Sequence, residues 1–184
     1  MEQTTTASVP SVYQQAALRW KQGHHVFHVV LVTMNTMLEA SMDALKQRDW
    51  PRLTASLDRL TALYKASTST MKYAADFPVT LYEELIRPSM MPPFISPGFS
   101  GELNTEHTMM LEGFQHLRSR MKEELGNREQ WPTPVAKSWT RLLSAQAYSR
   151  KHHALVCQKF VKDGASLLKD FYANKKETEK DGLQ

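Results

Sequence analysis

The chain has 184 residues, a formal net charge of +4 and one cysteine. This length fits one domain with a sizeable hydrophobic core, and a single cysteine excludes an internal disulfide. Basic residues are spread along the chain, which argues against nucleic-acid binding, and no apolar run approaches the roughly 20 residues of a membrane span. Residues 1–6 lack the features of a signal peptide, so we expect a cytoplasmic protein.

The first quarter of the sequence predicts an arm followed by two helices. Residues 1–10 are polar and end in a proline, and we expect a flexible arm. Ser11 is a suitable N-cap for a first helix that runs to about Gln22, and Gly23 is expected to interrupt it. A second helix is predicted from His24 to Arg48.

Histidines lie at the start of that second helix. Its apolar residues recur with the 3.6-residue period of an α-helix. His24 and His28 extend the apolar stripe toward the N-terminal end, whereas His25 points about 100° away from His24. The period therefore favours His24 or His28 as the inward-facing histidine.

Two further helices precede a long loop. Asp49 as a cap and Pro51 in the first turn predict a helix to about Ala75, and a shorter helix is predicted over residues 79–86. Residues 87–101 contain four prolines and two glycines and form the one long non-helical segment. Long ordered loops in compact domains are often functional, but a connector that packs on the core is an equally good reading.

The C-terminal half predicts two long helices. Asn104 or Thr105 would cap a helix that carries His107 and ends near Gly126. Thr133 opens the last helix, expected to reach about residue 172, before a charged tail over residues 175–184. No strand pattern or repeat is visible. We predict an all-α fold over residues 11–174, a bundle of about five helices with one buried, ordered Pro/Gly-rich loop.

The stretch 150–157 contains the only cysteine and two of the seven histidines. His153 and Cys157 are four residues apart and share a helical face, with α-carbons roughly 6 Å apart along the axis. This spacing suits a haem whose iron binds the imidazole and whose edge reaches the thiol. It also fits a small core cysteine beside a half-solvated histidine. Histidines on early and late helices would together cover both faces of a haem.

Residues 24–125 resemble the histidine-ligated haem dioxygenase superfamily typified by tryptophan 2,3-dioxygenase. The resemblance rests on a His-led helix ending in Ala-Leu-Lys-Gln-Arg-Asp-Trp (residues 44–50), a second helix ending near residues 75–77, and the turn over residues 97–101. The phrase Ile-Arg-Pro-Ser-Met-Met-Pro-Pro-Phe (residues 86–94) is closer to bacterial haem-dependent aromatic amino-acid hydroxylases. His153-Ala-Leu-Val-Cys157 matches the His-x-x-x-Cys motif of the saframycin-type 3-methyltyrosine hydroxylases.

The resemblance implies a haem-dependent peroxygenase or monooxygenase that hydroxylates a tyrosine-type phenol ortho to its hydroxyl in natural-product biosynthesis. Hydrogen peroxide or O₂ would be the oxidant. His153 would be an axial ligand of the iron and Cys157 would form a single thioether to a b-type porphyrin. An upstream histidine, His24, His25 or His28, would cover the other face, as second iron ligand and, when displaced, as general acid/base. His152 is then only a neighbour.

Other residues are candidates for binding an aromatic amino acid. Arg87 would pair with its carboxylate, or else with a haem propionate or a surface partner. His107 would bind the phenol and take part in catalysis, or only cap its helix. Phe99, with Phe94 and Met91, would wall the pocket or belong to the core. A homodimer could close the pocket.

Two readings compete with an enzyme. A bis-histidine haem carrier or sensor would use the same residues without catalysis, and a helical interaction module would bind no cofactor. Neither nucleic acid nor a membrane is expected as a partner.

Overall fold

The computed structural model describes residues 11–96, 98–99 and 104–160. Within these ranges the prediction of an all-α fold is confirmed, because they contain helices and turns but no strand. The predicted arm, the tail and the end of the last helix lie outside the described residues. The four long helices are α1 (Val12–Lys46), α2 (Trp50–Ala74), α5 (Thr105–Leu125) and α6 (Thr133–Phe160).

The first two predicted helices are one. The prediction that Gly23 interrupts the chain is wrong, because α1 continues through it. A Cβ atom on Gly23 would lie 2.4 Å from the Cβ of Ala74 on α2. Glycine therefore allows α1 and α2 to approach closely at the height of His24, and this packing outweighs its low helix propensity.

Local capping signals set the helix starts that the sequence predicts. Ser11 accepts a hydrogen bond from the Gln14 amide in a capping box. The carboxylate of Asp49 accepts from the Arg52 amide. Asn104, the first of the two predicted candidates, caps α5. Each cap satisfies a backbone N–H that has no partner inside its own helix.

The four long helices run alternately up and down. The Tyr73 hydroxyl donates to Gln22 (3.0 Å), which aligns the start of α1 with the end of α2. Asn35 of α1 contacts Glu106 at the start of α5, and Arg141 of α6 contacts Asp58 of α2. Further along, Gly113 of α5 packs on Leu38 of α1, and Lys159 of α6 contacts Ala75 just after α2. These second contacts show that α5 runs parallel to α1 and α6 runs parallel to α2.

Two hydrophobic clusters occupy the bundle. The upper cluster involves all four long helices and includes Leu31, Leu57, Leu117 and Leu142. The lower cluster joins the start of α1, the end of α6 and the segment between α2 and α5, through Ala16, Tyr82 and Phe160 among others. The histidines of α1 and α6 lie between these two clusters along the chain.

The connection between α2 and α5 differs from the predicted helix and buried loop. The helix predicted over residues 79–86 consists of α3 (Val79–Leu81) and a π-helical turn (Tyr82–Ile86). It is followed directly by a further helical turn, α4 (Arg87–Ser89). Met90 is buried, but Phe94 is 74% exposed. The prediction of a buried loop is therefore wrong for its tip. Of the predicted turn over residues 97–101, only residues 98 and 99 are described.

None of the helices in the described part of the chain is long and apolar enough to cross a membrane.

Candidate functional site

Helix α5 begins part-way along the bundle, and this leaves a face of α1 uncovered. The Asn35 side chain donates to both the backbone carbonyl (3.1 Å) and the carboxylate (2.8 Å) of Glu106. His28 and His24 precede Asn35 by seven and eleven residues, so all three share one face of α1 within about 20°. Both histidines lie below the first turn of α5. His28 is accordingly exposed and His24 is half-buried.

The inward face of α6 is uncovered at the same place. Gln146, His153 and Phe160 recur every seven residues and lie on one side of the helix. Gln146 and Phe160 are buried, whereas His153 between them is exposed. His153 lies on the side of α6 that faces the core and is nevertheless exposed. The packing of the core is therefore open at this position.

These uncovered faces lie at a similar height along the bundle. The Lys159 ammonium donates to the carbonyls of Ala75 and Phe77 (2.8 and 2.9 Å), which fixes the lower end of α6 against the end of α2. His153 lies six residues, or about 9 Å, above Lys159. It is thus level with the stretch of α1 that carries His24 and His28. We infer that the uncovered faces border one opening, which we call the histidine cleft, and we assign to it His24, His28, His107, His153 and Cys157.

His107 reaches the histidine cleft from the first turn of α5. Its backbone N–H donates to the Asn104 side chain (3.0 Å), so the helix cap fixes the position of its backbone. Burial lowers the pKa of His107, and the nearby charge of His153 lowers that pKa further. His107 is therefore mainly neutral at pH 7, and it is close enough to His153 to sense its charge.

The His153 and Cys157 side chains meet, as their spacing predicts. The Cys157 sulfur lies 3.8 Å from Nε2 and 3.9 Å from Nδ1 of the imidazole. Both residues are exposed. Desolvation of the sulfur raises the pKa of Cys157, so it is a neutral thiol at pH 7. The reading of Cys157 as a buried core residue is wrong, because its side chain is accessible.

His24 is held by aromatic neighbours. Its Nδ1–H donates to the Trp20 carbonyl (2.7 Å), and its ring packs on Trp20 with centroids 4.0 Å apart. Phe99 meets the ring edge-on at 5.1 Å. Burial lowers the pKa of His24, while the hydrogen bond to Trp20 raises it and His25 lowers it. With Nδ1 protonated, Nε2 of the neutral ring carries the lone pair.

Residues of the α2–α5 connection lie at the lower end of the histidine cleft. Burial raises the pKa of Tyr82, the nearby Arg87 lowers it, and Cys157 raises it. Tyr82 is thus close to both residues, and Arg87 is half-buried beside it. Phe99 is held by its backbone N–H, which donates to the Met90 carbonyl (2.9 Å).

Several predicted residues do not meet at the histidine cleft. Phe94 is too exposed to wall a pocket, and Met91 is half-buried. His25 faces a surface groove between α1 and α2 that Tyr73 also lines. His152 packs on Tyr148, with ring centroids 4.1 Å apart. In the described part of the chain, no three His, Cys, Asp or Glu side chains are grouped closely enough to hold a bare metal ion.

Sequence reasoning missed two aromatic residues. Trp20 supports His24, and its position four residues earlier on the same helical face could have indicated this contact. Tyr82 lies in the π-helical turn and packs on Phe160 of α6, and Cys157 influences its pKa. No sequence pattern predicts a π-helical turn, although such turns often occur at functional sites.

Comparison with known proteins identifies the family. Residues 2–137 match the family described as SfmD 3-methyl-L-tyrosine peroxygenase. The chain belongs to the SfmD 3-methyl-L-tyrosine peroxygenase family. A curated relative, the 3-methyl-L-tyrosine peroxygenase of Streptomyces lavendulae, is 31% identical over 157 residues. No solved structure matches the chain significantly.

The peroxygenase family match and the relative define how far the similarity extends. The family match includes His24, His28, Arg87, Phe99 and His107, and it ends before His153 and Cys157. The alignment with the Streptomyces protein covers 84% of this chain but 40% of the relative. The chain thus spans about two fifths of the length of that curated peroxygenase.

Proposed function

We propose that the chain is a haem-dependent hydroxylase that introduces a hydroxyl group ortho to the phenol of a tyrosine-type amino acid, with hydrogen peroxide as oxidant. Membership of the peroxygenase family supports this activity, and the name of the relative suggests 3-methyltyrosine as substrate. The observation that carries the proposal is that the exposed His28 of α1 and the exposed His153 of α6 lie at a similar height along the bundle. The natural role would lie in natural-product biosynthesis in the cytoplasm.

The donor set of the histidine cleft fits a haem. His153 offers an exposed imidazole that would bind the iron, and Cys157 offers an accessible thiol one turn away that would form a single thioether. His24 and His28 supply imidazoles from the other side of the opening. Haem iron needs only one or two protein ligands, so it does not require the three-residue grouping that a bare ion would need. When bound, the haem would supply the oxidation chemistry.

His24 is the better candidate for general acid/base on the side opposite His153. Its ring orientation is fixed by Trp20 and Phe99, and its lowered pKa keeps it neutral at pH 7. A neutral imidazole with a free Nε2 can accept a proton from peroxide and return it. His28 lies one turn further along the same face and is exposed, so it is the alternative iron ligand.

The substrate would enter from the side of the connecting segment. Arg87 can pair with the substrate carboxylate through its planar guanidinium. His107, mainly neutral, can exchange a hydrogen bond with the phenol. Phe99 is fixed against His24 and offers an aromatic surface for the ring of the substrate. The general acid/base His24 would then lie on α1, the phenol-binding His107 on α5, and the carboxylate-binding Arg87 in the connecting segment.

A product assay tests the proposed function. The chain, loaded with haem, is incubated with hydrogen peroxide and 3-methyltyrosine or tyrosine, and the amino-acid product is analysed by mass spectrometry. We expect a product heavier by one oxygen atom that has a catechol ring, and none with His153→Ala. Haem binding without catechol formation from either substrate would contradict the proposal.

A non-catalytic haem carrier or sensor is a second candidate. It is favoured by the presence of exposed histidines on both helices, His28 on α1 and His153 on α6. In this case histidines from both α1 and α6 would bind the iron. The same assay distinguishes the candidates, since a carrier would give a bis-histidine spectrum and no catechol. A homodimer, which we propose as a way to cover the open side of the cleft, is tested by light scattering.

A further inference from the structure

Within the upper cluster, at its end nearer the histidine cleft, α5 and α6 are joined through a third helix. The two helices stack on each other higher in the bundle, where the Phe114 and Trp139 rings are 5.8 Å apart and nearly parallel. Closer to the histidine cleft, the connection runs through Tyr64 of α2. The Tyr64 hydroxyl donates to the Met110 sulfur of α5 (3.4 Å) and accepts from the Gln146 amide of α6 (3.2 Å).

The two partners of Tyr64 lie above two histidines that influence each other electrostatically, His107 and His153. Met110 follows His107 by three residues, and Gln146 precedes His153 by seven. At these spacings each partner shares a helical face with its histidine. A displacement of Met110 relative to Gln146 would therefore displace His107 relative to His153 by a similar distance.

The surroundings of Tyr64 suit a fixed spacer. Tyr64, Met110 and Gln146 are all buried, and the Tyr64 ring meets Phe114 edge-on at 6.1 Å. Burial raises the pKa of Tyr64, so the phenol keeps the proton that it donates to sulfur. Buried polar groups whose hydrogen bonds are all satisfied favour one arrangement of the elements around them.

We propose that Tyr64 is a positioning residue that sets the distance between His107 on α5 and His153 on α6. The aromatic ring fills the core, whereas the hydroxyl joins the two helices that carry the histidines. Its importance for catalysis rests on the proposed function. The spacing itself is a property of the chain alone and can be measured without haem.

The test is a distance measurement between spin labels on the two helices. Cys157→Ser removes the native thiol, and Met109→Cys and Leu155→Cys introduce labels at positions that are 45% and 49% exposed. Pulsed electron paramagnetic resonance then gives the distribution of distances between α5 and α6. We expect a narrow distribution in this background and a broader or displaced one after Tyr64→Phe, which keeps the ring and removes the hydroxyl.

Two further variants make the result specific. Gln146→Leu removes the α6 partner and should broaden the distribution in the same way. Thr61→Val removes a buried hydroxyl one turn away on α2, which bonds only to the Leu57 carbonyl of its own helix (2.9 Å), and should leave the distribution unchanged. A Tyr64→Phe distribution that superimposes on that of the background would overturn the inference, whether or not the loaded protein hydroxylates tyrosine.

Discussion

His107 and His153 approach the histidine cleft from different helices and lie close enough to interact. Burial lowers the pKa of His107, and the charge of His153 lowers it further. One histidine is set by the N-cap of α5, the other by its position on the inward stripe of α6. This electrostatic interaction links α5 and α6 at the candidate site.

The interaction of His107 with its surroundings predicts an acid-sensitive fold. The pKa values of both His107 and His24 are lowered in the folded chain, chiefly by burial. The unfolded chain, with histidine pKa values near 6.5, then binds more protons than the folded chain. We expect the free energy of unfolding, measured with urea and without haem, to fall as the pH decreases below about 6.5 until the lowered folded-state pKa values are passed.

Substitutions assign this effect to a residue. His24→Gln should make the loss of stability on acidification smaller. His116→Gln, at an exposed position on α5 outside the histidine cleft, is the control and should retain it. An acid response in His24→Gln as large as that of the wild type would show that His24 does not contribute.

Gly23 predicts an unusual response to alanine. In an exposed helix, replacing glycine by alanine stabilises by roughly 0.5–1 kcal/mol. Here the new methyl group would overlap Ala74, and we expect Gly23→Ala to destabilise the chain by about 1–3 kcal/mol. The midpoint of urea unfolding measures this, and a second change, Ala74→Gly, should recover part of the loss. A midpoint that rises in Gly23→Ala would refute the tight packing of α1 on α2.

Two phenylalanines of the connecting segment form a matched pair. Phe99 is 41% exposed and packs on His24, with ring centroids 5.1 Å apart, whereas Phe94 is 74% exposed. Phe99→Ala should lower kcat for peroxide-dependent hydroxylation by about tenfold or more, because the orientation of His24 is lost. Phe94→Ala should change it less than about twofold, within the range of an uninvolved surface position. Equal effects of both substitutions would remove Phe99 from the site.

Cys157 predicts a covalent attachment. The thiol is accessible and lies one helical turn from His153. Haem should remain with the wild-type chain during extraction with acidic organic solvent, and it should be released from Cys157→Ala. Intact-mass analysis gives the same information, because the wild-type mass should include the haem. Free extraction of haem from the wild type would disprove the thioether.

The sequence predicts what depends on local chemistry. Ser11, Asp49 and Asn104 cap helices because their side chains reach backbone amides two or three residues later. The His153–Cys157 pair meets because a helix brings residues i and i+4 together. Both relationships require only neighbouring residues, so they can be read without knowing the fold.

The remaining features depend on tertiary structure. From the sequence, Gly23 predicts an interruption of the helix. Only its close packing against α2 explains why a glycine lies inside α1. From the sequence, His153 can be either an inward-facing or a half-solvated residue. The structure shows that it is exposed, and we attribute this to the height at which α5 begins. The tip of the connecting loop is apolar and still exposed, which its composition alone does not predict.

The absorption spectrum of the chain purified with added haem tests the central claim most directly. We predict a Soret band in the wild type, a lost or shifted band in His153→Ala, and an unchanged band in His152→Ala, whose imidazole packs on Tyr148. The absence of a Soret band in the wild type would contradict a haem site. A band that persists unchanged in His153→Ala would contradict the assignment of His153 as the iron ligand.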